Sequence, residues 1–188
     1  YLLIIIALTF AACSNTTKVK SKFENGAIKE VYFVLKSNDS IKDGLYKRYN
    51  ESKLLVEEVN YKNGALEGTR MLYYPSGKKE VVENFTNNNF NGVYESYYAS
   101  GNIKTKGKYE DNLMVEPWTY YYDLPDAPIK EIIRYKDNVE FGPYQEYYES
   151  GTLKAEGVYE EYLDIGPVDN GPFKSYYENG QLEQEGAF

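Results

Sequence analysis

Runs of alternating apolar and polar residues, each about seven to nine long, follow one another along most of the chain, as expected of half-buried strands. They are rich in tyrosine, valine, isoleucine, threonine and phenylalanine, which favour strands. Two kinds of turn separate them: Ser76-Gly77, Ser100-Gly101, Ser150-Gly151 and Asn179-Gly180, and Asn63-Gly64, Asn87-Asn88, Asp111-Asn112 and Asp137-Asn138. Since every connection is short, neighbouring strands must be antiparallel. The pattern predicts an all-β fold, an elongated antiparallel β-meander.

The strands and turns recur as one unit of about 24 residues, which indicates a repeat architecture. Its first residue is Gly44, Gly68, Gly92, Pro117, Gly142 or Gly171, and a tyrosine stands five residues after each: Tyr49, Tyr73, Tyr97, Tyr122, Tyr147 and Tyr176. A degenerate unit precedes them in residues 23–43. We therefore predict one array of tandem hairpins over residues 23–188. Positions are counted below from the first residue of each unit, which is position 0.

Alternation along the strands assigns side chains to the two faces of the sheet. With a two-residue turn at positions 8 and 9, positions 2, 4 and 6 share a face with 11, 13, 15 and 17. That face collects most aromatic rings, and Gly107, Gly157 and Gly186 lie at position 15, opposite the ring at position 2. A ring can cover such a bare glycine. This face is the predicted core.

The tyrosines at position 5 are predicted to point the other way, towards position 12, which is lysine in three units (Lys104, Lys130 and Lys154). Two interpretations of this tyrosine row remain open. The row either stiffens the sheet through cross-strand pairs, or it is offered to a partner. On the second interpretation Tyr49, Tyr73, Tyr97, Tyr122, Tyr147 and Tyr176 are the candidate binding residues.

The N-terminal residues have the character of a targeting segment. Tyr1 to Phe10 is apolar and uncharged, Ala11-Ala12-Cys13 follows, and the apolar run is shorter than the roughly 20 residues that span a bilayer. The sequence resembles the lipobox of bacterial lipoproteins. The resemblance implies that residues 1–12 are a signal peptide, that Cys13 is acylated, and that the protein is lipid-anchored at the cell envelope. We expect residues 13–22 to be a lipidated terminus and polar linker.

Composition excludes several classes of function. The chain has 188 residues, a net charge of −8, no histidine and one cysteine. The acidic balance disfavours nucleic acid, and the missing residue types remove histidine-based catalysis and multi-cysteine zinc sites. We predict no enzymatic activity, no cofactor and no metal site. Trp118, the single tryptophan, is expected in the core rather than as a ligand platform.

One acidic segment leaves a choice open. Glu160, Glu161, Asp164 and Asp169 lie on and beside an insertion at residues 162–170, which lengthens the fifth unit. Carboxylates on a loop can hold Ca²⁺, but their spacing matches no known calcium loop. A tolerated surface insertion is the favoured interpretation.

The full unit from Gly142-Pro143-Tyr144 to Glu156-Gly157-Val158-Tyr159 has the pattern Gly-x-Tyr-x-x-Tyr-Tyr-x-Ser/Asn-Gly-x-Leu-x-x-Glu-Gly-x-Tyr. This pattern resembles the variant MORN repeat of bacterial proteins and, more narrowly, the YwqK-type antitoxin family of a toxin–antitoxin module. The resemblance covers about residues 23–188, and it implies a non-catalytic repeat scaffold and a protein partner.

Together these features predict a membrane-anchored, non-enzymatic scaffold that binds a toxin or an envelope protein, with an antitoxin or immunity-like role as one version. The alternative is a carbohydrate or cell-wall binding module, since aromatic and glycine repeats also resemble choline-binding and related wall-binding repeats. Lipid headgroups are a poorer ligand for the array because it is acidic.

Overall fold

The computed structural model describes residues 15–162, 166–169 and 171–187, of which residues 160–162 and 166–169 are described by their backbone alone. Every regular element in these ranges is a β-strand, and the strands form one open antiparallel sheet. The strands are β1 (Thr16–Lys22), β2 (Ile28–Leu35), β3 (Asn38–Lys42), β4 (Gly44–Tyr49), β5 (Leu55–Lys62), β6 (Ala65–Tyr73), β7 (Lys79–Thr86), β8 (Asn89–Phe90), β9 (Gly92–Tyr97), β10 (Ile103–Glu110), β11 (Leu113–Tyr121), β12 (Ile129–Lys136), β13 (Val139–Glu140), β14 (Gly142–Tyr147), β15 (Leu153–Tyr162), β16 (Gly166–Asp169), β17 (Pro172–Tyr176) and β18 (Leu182–Ala187).

Each long strand pairs with the next long strand along the chain, from β1 with β2 to β17 with β18. The predicted all-β meander is confirmed. Strands in a sheet lie about 4.8 Å apart, so the long strands extend the array over roughly 60 Å. The insertion in the fifth unit prolongs β15 and pairs it with β16 as a hairpin.

The turn residues adopt the backbone conformations that their types allow. Both central residues of the second turn have positive φ in every unit that has this turn, for example 49° and 70° at Asn87 and Asn88. This is the geometry of a type I′ hairpin turn. In the first turn the residue at position 9 has positive φ in five of the six units from Gly44 onwards: it is Lys53 in the first of them and glycine in the second, third, fifth and sixth. In the fourth unit Asp126 and Ala127 have positive φ instead. Turn chemistry therefore fixes the length of each hairpin.

The first turn is a three-residue loop, not the two-residue turn that the sequence suggests. In the second unit Tyr74 N donates to Lys78 O and Gly77 N donates to Tyr74 O, so Pro75, Ser76 and Gly77 form the loop. The register then shifts between positions 4 and 5, which leaves position 12 as a β-bulge. Beyond the bulge the register equals the predicted one, which confirms the predicted core face for positions 2, 4, 13, 15 and 17. Position 11 was predicted on the core face and this is wrong, because it pairs with the tyrosine at position 5 on the opposite face.

The bulge overturns the predicted pairing of the tyrosine row with position 12. Position 5 pairs with position 11, as in Tyr97 with Ile103. Two lysines of position 12 turn to the core side: Lys104 Nζ lies 5.7 Å from the ring centroid of Tyr98, and Lys154 Nζ lies 2.6 Å from Glu146 Oε1. A bulge places one extra residue opposite a single partner, and it therefore moves position 12 away from position 5.

The N-terminal boundary of the sheet also differs from the prediction. Residues 16–22, expected in a linker, form β1 and pair with β2 along their whole length. Thr17, Val19 and Ser21 face the core side, where Ser21 Oγ donates to Glu30 Oε2 at 2.9 Å. Cys13 and the signal-like segment lie outside the described residues. Among the described residues there is no helix long and apolar enough to cross a bilayer.

The core is a row of side chains on one face of the sheet. Its most buried members are Val34, Tyr46, Val59, Phe85, Trp118 and Ile133. Trp118, only 3% exposed, packs among Tyr94, Tyr109 and Tyr135 with ring centroids 5.1 to 6.3 Å apart. The expectation that Trp118 belongs to the core is confirmed.

The glycines at position 15 give these rings room. A Cβ on Gly157 would lie 2.7 Å from the Tyr144 ring, and a Cβ on Gly186 would lie 2.9 Å from Phe173, as the ring-on-glycine prediction requires. Gly107 is covered differently. A Cβ there would meet Trp118 of the following unit at 2.1 Å, although the Cα partner of Gly107 is Tyr94. The tryptophan is wide enough to reach across the boundary between two units.

The second unit replaces the ring and the glycine by charges. Arg70 stands at position 2 and Glu83 at position 15, and the guanidinium donates to Glu57 Oε1 at 2.8 Å and to Glu83 Oε1 at 3.0 Å. Arg48 Nε donates to Glu57 Oε2 at 2.9 Å. Burial raises the pKa of Glu83 although Arg70 opposes the shift. This network fills the core face where the other units have apolar packing.

Tyrosines at position 6 connect successive units. Each hydroxyl donates to the backbone carbonyl of the position-5 tyrosine in the next unit: Tyr74 to Tyr97, Tyr98 to Tyr121, Tyr122 to Tyr147 and Tyr148 to Tyr176, at 2.7 to 2.9 Å. At the other end of the strands, asparagines of the second turn bind the backbone of the preceding unit. Asn88 Oδ1, for example, accepts a hydrogen bond from Leu66 N at 2.8 Å. Successive units are therefore hydrogen-bonded to each other at both ends of their strands.

Candidate interaction surface

The face opposite the core carries a tyrosine at position 5 of every unit from Gly44 onwards. We call this set the tyrosine strip: Tyr49, Tyr73, Tyr97, Tyr121, Tyr147 and Tyr176. The register places all six opposite position 11, and all are half-buried. Five of them are the residues that the sequence indicated. The strip runs across the sheet from β4 to β17.

Tyr122 was assigned to this row by the sequence, and the structure corrects the assignment. Glu116, with φ of 63°, occupies the place that glycine holds at the start of the other units, so the fourth unit begins one residue before Pro117. Tyr121 then stands at position 5. Tyr122 stands at position 6, and its hydroxyl donates to Tyr147 O on the inter-unit ladder. The signal that could have found this is the constant spacing of 24 residues from Gly92.

Hydrogen bonds orient several hydroxyl groups of the strip. Two of the tyrosines donate to the residue at position 3 of their own strand: Tyr97 to Glu95 Oε2 at 2.7 Å and Tyr147 to Gln145 Oε1 at 3.1 Å. Tyr176 reaches the neighbouring unit and donates to Glu156 Oε1 at 2.9 Å. These three rings are therefore held in place in the free protein, which would lower the entropy cost of binding a partner.

Charged pairs flank the strip at positions 3 and 14. Lys47 Nζ lies 2.8 Å from Glu58 Oε2, and Lys106 Nζ lies 3.3 Å from Glu95 Oε1. Such exposed pairs contribute little stability. In the last units these positions, with their neighbours, line an open groove between Ile132, Pro143, Val158 and Pro172, next to Arg134, Glu156 and Lys174. Rings flanked by charges are typical of the rim and anchors of a protein interface.

The environment of the strip shifts the pKa of Tyr97 and that of the neighbouring Glu95. Burial, and then the hydrogen bond to Glu95, raise the pKa of Tyr97 to about 12. In the reverse direction, the Tyr97 hydroxyl is the main group that lowers the pKa of Glu95, ahead of Lys106. The folded protein thus favours a neutral tyrosine beside an ionised carboxylate.

We expect this pair to appear in an alkaline titration. Since the folded pKa of Tyr97 lies above the ordinary value of about 10, its contribution to stability is complete below pH 10 and is lost as the pH rises through about 12. Tyrosinate absorbance of the native protein should lose a component near pH 12 in Tyr97→Phe. In Glu95→Gln the same component should move to lower pH. An unchanged titration in both variants would contradict the assignment.

No group of three or more metal-binding side chains occurs in the part of the chain that the structure describes. In the acidic segment where the sequence leaves Ca²⁺ as the less favoured alternative, Asp164 lies outside the described residues, as do the side chains of Glu160, Glu161 and Asp169. The choice between a calcium site and a plain insertion therefore stays as the sequence left it. The described residues 166–169 of the insertion form β16, which pairs with the end of β15.

Comparison with known families identifies the repeat. The model of the MORN repeat variant matches residues 42–63, 66–87, 90–111, 142–161 and 169–188, which is more than half of the chain. The chain belongs to the MORN repeat variant family. Its repeats generally mediate interactions with proteins or membranes, and their all-β scaffold is typically non-catalytic. No curated protein matches the sequence.

The match to the MORN repeat variant omits residues 112–141, although the structure folds them as the other units are folded. This stretch contains the unit that begins with Glu116 in place of glycine. It also has a longer first turn at Pro125–Pro128, where Tyr122 N donates to Pro128 O. The fold of a MORN unit therefore tolerates the loss of the residues by which its sequence is recognised.

Proposed function

We propose that this MORN-repeat protein is a non-enzymatic scaffold at the bacterial envelope, anchored through an acylated Cys13, and that the tyrosine strip binds a partner protein. The observation that carries the proposal is the continuity of the strip over six units on the face that does not form the core. Tyrosine is enriched among residues that dominate binding energy, because its large rigid ring is buried at low entropy cost.

A narrower version makes the partner a toxin and the chain its antitoxin or immunity-like binder. Its support is the resemblance of the repeat pattern to YwqK-type antitoxins. Coexpression with the product of an adjacent toxin-like reading frame should restore growth of the host. Growth that stays inhibited would leave the broader scaffold proposal in place and remove this version.

The proposal is tested by removing two rings from the strip. In Tyr97→Ser/Tyr147→Ser, crosslinking in the envelope followed by purification should recover at least about tenfold less of the specific partner, as expected for the loss of two interface anchors. Tyr177→Ser is the matched control, because Tyr177 is 51% exposed and lies outside the strip. Circular dichroism of all three proteins should show the same strand content.

Two outcomes would overturn the proposal. Equal recovery of the partner in wild type and double variant would exclude the strip as its binding surface. Sedimentation with purified peptidoglycan that is lost in the double variant, with no protein partner recovered, would favour the carbohydrate or cell-wall module. Trp118 would take no part in such a module, because it is buried in the core.

A further inference from the structure

Charge is distributed unevenly between the first hairpin and the rest of the array. Residues 15–36 contain five lysines and two glutamates, whereas residues 37–188 contain 16 lysines and arginines against 27 acidic residues. The first hairpin, β1–β2, precedes the first residue matched by the MORN family model. The chain is therefore basic at one end of an otherwise acidic sheet.

Three lysines of β1 form one row. Lys18, Lys20 and Lys22 alternate with residues that face the core side, so their side chains lie on the face of the tyrosine strip, and all three are exposed. Lys18 Nζ lies 5.8 Å from the ring centroid of Phe33 on the same face. Among the described residues no carboxylate forms an ion pair with these lysines. Their charge is free to act on an external surface.

The position of β1 in the sequence indicates which surface that is. The strand begins at Thr16, three residues after Cys13, and three extended residues reach at most about 11 Å. We propose that the lysine row of β1 docks on an anionic bilayer surface, so that the first hairpin is the membrane-facing end of the sheet. This rests on the proposed acylation of Cys13, and it makes the anchor a combination of acyl chains and basic side chains, which together hold more stably than one signal alone.

The acidic part of the array has the opposite interaction with the same surface. An anionic bilayer repels residues 37–188, which carry the excess of carboxylates, wherever they come within about 8 to 10 Å of it. Attraction at the first hairpin and repulsion elsewhere orient the sheet away from the membrane. The tyrosine strip, which begins at Tyr49, is then presented to partners outside the headgroup region.

Vesicle partitioning tests the proposal without acyl chains. The full chain with Cys13→Ser is mixed with vesicles of phosphatidylcholine alone or with added phosphatidylglycerol, at low and high salt. Each lysine at an anionic surface strengthens binding roughly fivefold, so phosphatidylglycerol should increase binding by about a hundredfold at low salt. In Lys18→Gln/Lys20→Gln/Lys22→Gln this gain should disappear. The contribution of apolar residues 1–12 is the same in both proteins and cancels.

The matched control replaces three exposed lysines elsewhere, Lys104, Lys106 and Lys130, by glutamine, and should keep the gain. If phosphatidylglycerol has the same effect on both triple variants, or none on the parent protein, the lysine row only protects an edge strand and the proposal is wrong. Incorporation of labelled palmitate into the natural chain, lost in Cys13→Ser, tests the anchor separately. Lysine-dependent binding without incorporation would refute the lipid anchor and keep the docking surface.

Discussion

Gly107→Ala is expected to destabilise the array by about 3 kcal/mol, at the upper end of what overpacking a core by one methyl group costs. The new Cβ would lie 2.1 Å from Trp118 Cδ2. The indole cannot move aside, because Tyr94, Tyr109 and Tyr135 surround it. The backbone at Gly107 is not in the left-handed region, so the cost reports the collision alone. Urea denaturation followed by circular dichroism measures it.

Gly186→Ala is the matched control for this substitution. Its Cβ would lie 2.9 Å from Phe173 Cε1 in the exposed last hairpin, and we expect a loss of about 1 kcal/mol. The smaller ring of Trp118→Phe should reduce the cost of Gly107→Ala to a similar value. The indole N–H of Trp118 has no hydrogen-bond partner among the described residues, so phenylalanine loses no bond there. Equal costs for Gly107→Ala in the two backgrounds would show that Trp118 is not the obstacle.

Arg70→Ala should cost about 3 to 5 kcal/mol, the loss expected when a buried ion pair loses one partner. The side chains of Glu57 and Glu83 are only 12% and 8% exposed, and the variant leaves Glu83 without its cation. Arg48→Ala is the control. Arg48 is 43% exposed and Glu57 keeps Arg70, so this loss should stay near 1 kcal/mol. Chemical denaturation at neutral pH compares the two.

The pH dependence of Arg70→Ala follows from the pKa of Glu83, which burial already raises. A folded pKa above the unfolded value near 4.3 means that the contribution to stability is greatest below that value and falls as the pH rises. The deficit of Arg70→Ala relative to wild type should therefore shrink in acid. Arg70→Tyr/Glu83→Gly recreates the pair of a ring and a glycine found in other units. Its free energy of unfolding should lie within about 1 kcal/mol of the wild-type value. A double variant as unstable as Arg70→Ala would contradict this account.

The repeat and its core face could be predicted because they depend on local chemistry. Asn, Asp and Gly mark the positions where φ must be positive, and strict alternation then assigns the faces. The length of the loop in the first turn could not be predicted from residue types, because Ser-Gly is compatible with a two-residue turn as well as with a three-residue loop. The bulge at position 12 compensates for this error at positions 13, 15 and 17, so their place in the core is predicted correctly. The face of Ile103 at position 11 and the partners of Tyr97 and Lys104 are not.

The remaining differences come from positions where the residue type departs from its usual role. Glu116 adopts a left-handed conformation that its type rarely takes, so the residue types indicate Pro117 as the start of the unit and put Tyr122 one position too early. Residues 16–22 are polar enough to suggest a linker, yet the alternation of Lys18, Lys20 and Lys22 with Thr17, Val19 and Ser21 is that of an edge strand. The two-residue alternation is hard to detect because the segment is mostly polar on both faces.

The ladder of position-6 hydroxyls has an evolutionary consequence. Its acceptors are backbone carbonyls, which every amino acid supplies, so a newly duplicated hairpin can join the row without a matching side chain in its neighbour. Lineages can then gain, lose or exchange hairpins while the junctions survive. The sequence of a repeat such as residues 116–141 can also diverge until sequence comparison no longer detects it. The number of repeats in related proteins is then underestimated when it is derived from sequence matches alone.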